Sequence, residues 1–144
     1  MNAREFLEQP RRLKEQLDQA DMEVDYLKSL AERVTVPFGP ESHPVSHTTN
    51  VSAMQDAAIK LSEAREKAAR IREEYCETVW DVGLLILRIQ NETVREFMAA
   101  RYLDFKTHAQ IAAPKHYSPS WCRKTQDRGL VAVQALLDEE KAKV

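Results

Sequence analysis

This sequence predicts an all-α fold: a long antiparallel helical hairpin, of the coiled-coil kind, followed by a small bundle of shorter helices. Three observations predict it. Ala, Glu, Gln, Leu, Lys and Arg abound while the 144 residues hold only 3 glycines, a balance that favours helix almost throughout. Apolar residues recur every three or four positions over long stretches, and no long run alternates apolar with polar residues as a half-buried strand does. Capping residues stand ahead of several of those stretches at the spacing a helix start requires. The length suits one compact domain, or a small domain carrying an extended appendage.

The first helix enters near Asn2, which forms a capping box with Glu5. Pro10 follows, where an interior proline lacks an N–H and clashes with the preceding turn. The expectation is therefore a short first helix with a fresh start near Pro10, or a bend there. Leu13, Leu17, Ala20, Val24, Leu27, Ala31 and Val34 then alternate spacings of four and three, a heptad seam. Three prolines and a glycine with no periodicity make residues 35–50 a loop. His43 and His47 lie in it without a second pair of ligands, so they read as loop histidines and no metal site is expected.

Ser52 and Gln55 offer the next capping box. A second seam follows through Met54, Ala57, Leu61, Ala64, Ala68, Ile71, Tyr75, Thr78, Val82, Leu85 and Ile89. Folding back at the loop sets Val34 near Met54 and Leu13 near Tyr75, so an antiparallel intramolecular pair is the economical arrangement. The end of the second helix outruns its partner. Val79, Trp80, Val82, Leu84, Leu85, Ile86, Leu87 and Ile89 make it apolar on nearly every face, as in a helix covered on several sides. Such a surface packs on the C-terminal helices or on a second copy, so a homodimer is expected.

Asn91 caps a helix from Glu92 to about Asp104, with Val94, Phe97, Met98, the aliphatic stem of Arg101, Tyr102 and Leu103 as its core stripe. Thr107 and Gln110 form another capping box, opening a short helix that buries Ile111 and Ala112 and ends at Pro114. Ser118 before Pro119 is a strong helix start, because serine caps and proline is tolerated at the first helical position. That helix continues through Leu137, with Cys122, Leu130, Val133 and Leu137 inward and Lys141 and Lys143 near its end. A short capped helix, a tight connection and a longer capped helix carrying cations have the cadence of a helix-turn-helix. The domains are drawn at 1–90 for the hairpin and 91–144 for this module.

Several classes are excluded. The longest apolar stretch falls well short of the roughly 20 residues of a membrane span, and the polar, amphipathic start is unlike a signal peptide. Cys76 and Cys122 stand far apart without metal-ligand spacing, as free thiols in a reducing cytoplasm do. No phosphate loop, zinc-protease pattern or nucleophile–base arrangement occurs, so neither enzymatic activity nor a cofactor is expected. Charge is uneven. Residues 1–90 carry 12 Lys/Arg against 16 Asp/Glu, and residues 91–144 carry 9 against 7. Lys106, Lys115, Arg123, Lys124 and Arg128 cluster with Asp127 as the one acidic residue between them, a local positive field of the kind nucleic acid attracts.

Arg101-Tyr102-Leu103, Thr107, Ile111-Ala112, Ser118, Cys122 and Arg128-Gly129-Leu130 fall into the frame of sigma-70 region 4, which this segment resembles. With the coiled-coil front part included, the chain is similar to a family of small phage and prophage proteins of unknown function, akin in outline to phage late-gene transcriptional regulators. The pattern departs at the turn, where Lys115-His116 stands for Leu-Gly, and at Gly129, which stands for alanine. The resemblance implies a phage-encoded transcriptional regulator in the cytoplasm of a bacterial host, bound to double-stranded DNA and in reach of host RNA polymerase. On this reading Ser120, Trp121, Arg123, Lys124 and Thr125 face the groove, and Lys106, Lys115 and Arg128 meet phosphates. The rival is an inhibitor or adaptor that engages a host protein, RNA polymerase or a defence nuclease, through its acidic coiled coil.

Overall fold

The computed structural model describes residues 1–35 and 47–143, with backbone alone for 34–35 and 47–50. Among the described residues every regular element is helical: α1 (Ala3–Thr35), α2 (His47–Leu87), α3 (Glu92–Tyr102), α4 (His108–Ala112), a 3-10 turn (Ala113–Lys115) and α5 (Pro119–Ala142). The protein is all-α with a long helical hairpin. Its chain divides into two compact units, Glu15–Glu73 and Met1–Lys14 with Glu74–Val144.

In the unit of residues 15–73, α1 and α2 pair antiparallel. Arg72 meets Asp21 at 3.1 Å and Lys67 meets Glu23 at 3.8 Å, so positions rise along one helix as they fall along the other. Leu17 and Ala20 of α1 and Ala64 and Ala68 of α2 are buried, as the heptad spacing predicts. Burial weakens towards the loop, where Leu27, Ala31 and Ala57 are half-buried and Met54, expected on the seam, is exposed. The ion pairs lie at the surface and contribute only about 0–1 kcal/mol each, so the apolar seam dominates.

Two expectations about helix ends are corrected. Of the two alternatives at Pro10, a fresh start or a bend, the fresh start is excluded, because α1 passes through it as one helix. An interior proline costs about 3 kcal/mol, but here its ring is fully buried, which offsets part of that loss. α2 begins at His47, ahead of Ser52, so residues 47–50 are helical and the Ser52 capping box falls inside the helix. Nothing between Val45 and Val82 breaks a helix, since no proline or glycine falls in that stretch. Of the expected loop, residues 36–46 lie outside the described residues, His43 among them.

The other unit gathers its core from both ends of the chain. Leu7, Val82, Leu85, Ile86 and Ile89 pack in one cluster with Val94, Phe97, Met98, Tyr102, Cys122 and Val133. Fully burying such a side chain is worth about 1.5–3 kcal/mol, so this cluster is the unit's main source of stability. The end of α2, which the seam alone left without a partner, thus lies against α3, α5 and the start of α1. Ala3 N–H donates to Gln134 Oε1 at 2.9 Å, and Arg88 pairs with Glu139 and Glu140, which fixes α5 further.

The local start signals operate as their chemistry dictates. Asn2 and Glu5 exchange hydrogen bonds at 2.8 and 3.2 Å in a capping box. Asn91 accepts from the Val94 N–H, and Thr107 and Gln110 form a second complete box. Ser118 accepts from the Trp121 N–H with Pro119 in the first turn, and α5 continues to Ala142, five residues past Leu137.

Candidate nucleic-acid interface

Helices α3, α4 and α5 all pack on one another. α4 ends in the 3-10 turn because Pro114 cannot continue the α-helical ladder. His116 then takes the left-handed conformation at φ 56° and ψ 37°, and the chain enters the Ser118 cap. That backbone region suits glycine; a side chain there costs roughly 1–2 kcal/mol. His116 therefore does the geometric work of the glycine expected at such a turn.

A three-residue hydrogen-bond clasp joins the helices from inside. Gln126 Nε2 of α5 donates to Tyr102 Oη of α3 at 2.9 Å, while Gln126 Oε1 meets His108 Nε2 of α4. Burial pushes the Tyr102 phenol above its ordinary value, and the Gln126 hydrogen bond and the Arg4 and Arg101 charges partly oppose the shift. Cys122 Sγ lies 3.8 Å from the His108 carbonyl, adding a weak contact between the same elements. Among the described residues no buried side-chain polar atom lacks a partner.

The cluster that the sequence singled out is only partly brought together. Ser120, Arg123, Lys124 and Arg128 stand exposed on one face of α5, at spacings of three, one and four. Arg123, Lys124 and Arg128 have no ion pair within 4 Å among the described residues, although Asp127 shares their face. Lys106 and Lys115 are also exposed, in the α3–α4 connection and the 3-10 turn, and Lys115 reaches Glu96 at 3.7 Å.

Thr125 is a correction. It is 5 % exposed and lies on the buried stripe with Cys122, Gly129 and Val133. Its place three residues after Cys122 and four before Gly129 puts it on the inner face, so it presents nothing to a ligand. Trp121 is half-buried: its ring stacks on Tyr117 at 3.6 Å between centroids and meets Phe97 edge-on at 5.9 Å. It packs α5 against α3 and the turn, where the sequence placed it facing the groove.

The Tyr102–Gln126–His108 clasp had no counterpart in the sequence reading. Its one local signal is that Gln126 follows Cys122 by four, which places it beside the inner stripe. The reason for Gly129 was hidden too. A Cβ there would lie 2.5 Å from Met98 Cγ and 2.7 Å from Cε, so glycine allows α5 and α3 to approach.

Among the described residues no helix is long and apolar enough to cross a membrane, and no three His, Cys, Asp or Glu side chains are grouped to hold a metal. No family model, curated protein or solved structure matches the chain.

Proposed function

We propose that this chain is a DNA-binding transcriptional regulator of phage or prophage origin, with α4 and α5 acting as a helix-turn-helix. The observation that carries the reading is the head of α5, where Ser120, Arg123, Lys124 and Arg128 share an exposed face and the three cations have no acidic partner within 4 Å among the described residues. Unpaired cations on the leading face of a capped helix suit the major groove, where arginine and lysine meet guanine acceptors. Lys106, Lys115 and Arg128 serve phosphates, which fix register without reading sequence. Trp121 supports the helix from behind in this reading, and Thr125 has no part in contact.

The test is retention on heparin or random duplex DNA at low salt, followed by selection of a preferred sequence. Arg123→Ala with Lys124→Ala should abolish specific binding, since each lost base-edge contact costs about 1–3 kcal/mol. Lys115→Ala should mainly lower the salt dependence. Reversing Glu63 and Glu66 on α2 should leave DNA binding intact. Activity indifferent to Arg123 and Lys124 but sensitive to the acidic hairpin would sink this reading.

A second reading has its own observation. Met22 and Tyr26 stand exposed one turn apart on α1, amid Asp21, Glu23 and Asp25. An acidic helix face with an apolar pair suits a protein partner, and in a phage protein this is a host protein such as RNA polymerase or a defence nuclease. Its test is the opposite mutational pattern, together with capture of that partner by the wild-type hairpin and not by Tyr26→Ser.

A further inference from the structure

The C-terminal half of α2 shows a second surface. Its inner residues are used in the core, yet Trp80 is 69 % exposed, Leu84 48 % and Leu87 67 %. With Gly83 they form one stripe at positions i, i+3, i+4 and i+7. Beside the stripe runs an apolar groove of about 650 Å³ between α2 and α3, walled on the α3 side by Ala99 and Leu103. We infer that this face pairs with the same face of a second copy, α2 against α2 in antiparallel two-fold contact, each Trp80 entering the groove of the other chain.

Three observations point to a second copy. The first is glycine. Gly83 lies inside a 41-residue helix, where it weakens helix formation, and a Cβ there would meet nothing closer than Leu103 Cδ1 at 3.9 Å. Nothing within the chain requires a glycine there, whereas a close helix crossing at that point is favoured by one. An antiparallel pair centred between Gly83 and Leu84 sets Trp80 of each copy opposite Leu87 of the other, so the two most exposed side chains of the stripe cover one another.

The second is charge. Glu77 and Asp81 flank Trp80, and neither has an ion pair among the described residues. Arg95 and Glu96 line the groove at the other end of the stripe; Glu96 is paired with Lys115 at 3.7 Å, whereas the Arg95 guanidinium donates to the Ile89 carbonyl at 3.0 Å and has no ion pair among the described residues. Antiparallel pairing brings the acidic end of each copy to the arginine end of the other. Matching of one patch to itself is what a two-fold interface requires.

The third is area. Trp80, Leu84 and Leu87 together expose roughly 400 Å² of apolar surface. In an interface about 60 % apolar this corresponds to about 700 Å² per copy, close to the roughly 800 Å² per partner of a stable complex. The pairing does not depend on DNA binding, and its test uses no DNA, so either idea can fail alone.

The measurement is the light-scattering mass of the full chain across a hundredfold range of concentration. Twice the mass of one chain is expected, and Trp80→Asp should halve it while leaving the helical circular dichroism unchanged. Register is read by mild oxidation. Leu84→Cys in a Cys76→Ser background should form an interchain disulfide, because position 84 lies at the axis. The native Cys76 should not, because two copies of it stand about 22 Å apart along the pair at 1.5 Å per residue. A mass of one chain at every concentration, or a dimer that survives Trp80→Asp, overturns the proposal. So does a Cys76 disulfide without one at position 84, a readout that holds even if Trp80→Asp misfolds.

Discussion

Replacing Gly129 by alanine sets two local rules against each other, and the packing of α5 on α3 decides between them. Helix propensity alone favours the change by about 1 kcal/mol, since Gly129 sits in the interior of α5. The new Cβ, however, would fall on the Met98 side chain, overlapping Sδ and lying 2.5 Å from Cγ. Met98 is 0 % exposed and packed in the core cluster, so it has no solvent-facing rotamer to retreat into. Overpacking of this kind typically costs about 1–3 kcal/mol, and here Cγ near the root of the side chain must move as well as its tip. The upper half of that range applies, and after the propensity gain a net loss of about 1–2 kcal/mol remains. For a chain of this size that is a fall in Tm of roughly 3–6 °C, measurable by circular dichroism or differential scanning calorimetry. Met98→Ala removes the three atoms concerned, so the double variant should be more stable than the sum of the single losses by about 1 kcal/mol. A Gly129→Ala protein that melts higher than wild type would refute the argument.

His116→Gly should raise stability by about 0.5–1 kcal/mol in urea titration, because the left-handed turn is relieved while the unfolded chain gains freedom. The Tyr102 phenol is raised by burial from the 10.0 of an unfolded tyrosine, so the folded state prefers it neutral. Its contribution is complete below pH 10 and is lost as pH climbs through the folded value; Tyr102→Phe should flatten that alkaline decline in melts between pH 9 and 12. At neutral pH the same variant leaves Gln126 Nε2 without its acceptor and should cost about 1 kcal/mol. A fragment of residues 91–144 should show no cooperative melt by circular dichroism, since Ala3, Leu7, Val82, Leu85, Ile86 and Ile89 supply half of the buried cluster. A sharp transition in that fragment would show that the C-terminal helices stand alone.

What was legible in the sequence was what a few neighbouring residues decide. Asn2 with Glu5, Asn91, Thr107 with Gln110, and Ser118 with Pro119 cap helices through contacts three residues long, and each forms as its pattern requires. The heptad seam is a repeated local rule, so Leu17, Ala20, Ala64 and Ala68 were also readable. What depends on distant partners was not. Pro10 is accommodated by burial that no neighbouring residue announces, and Gly129 looks like a fault until Met98, 31 positions earlier, is set beside it. Thr125 was misplaced for another reason. Its hydroxyl suggested a polar surface while its spacing from Cys122 and Gly129 put it inside, and spacing is the better guide on a helix. The exposed cations needed less, because Arg123, Lys124 and Arg128 follow from the inner stripe once Cys122 and Val133 fix it.

The two interior glycines bear the same local penalty and have opposite explanations. At Gly129 the reason lies within the chain, in the Met98 side chain that fills the space of a Cβ. At Gly83 a Cβ would make only an ordinary contact, 3.9 Å from Leu103 Cδ1, and the residues around it, Trp80, Leu84 and Leu87, face outward. The charges divide in the same way. Arg88 and Lys115 find carboxylates within the fold, at 3.1 and 3.7 Å, whereas Arg123, Lys124 and Arg128 do not. Features whose local penalty is answered inside the chain describe how it folds. Two groups of those left unanswered stand on separate surfaces, the cationic head of α5 and the apolar stripe of α2; the exposed Met22 and Tyr26 of α1 and Val131 of α5 are others. The chemistry of the first suits a polyanion and that of the second its own image, so the two surfaces call for different partners and are separable by mutation: Arg123→Ala with Lys124→Ala should leave the mass unchanged, and Trp80→Asp should leave the cationic face of α5 intact.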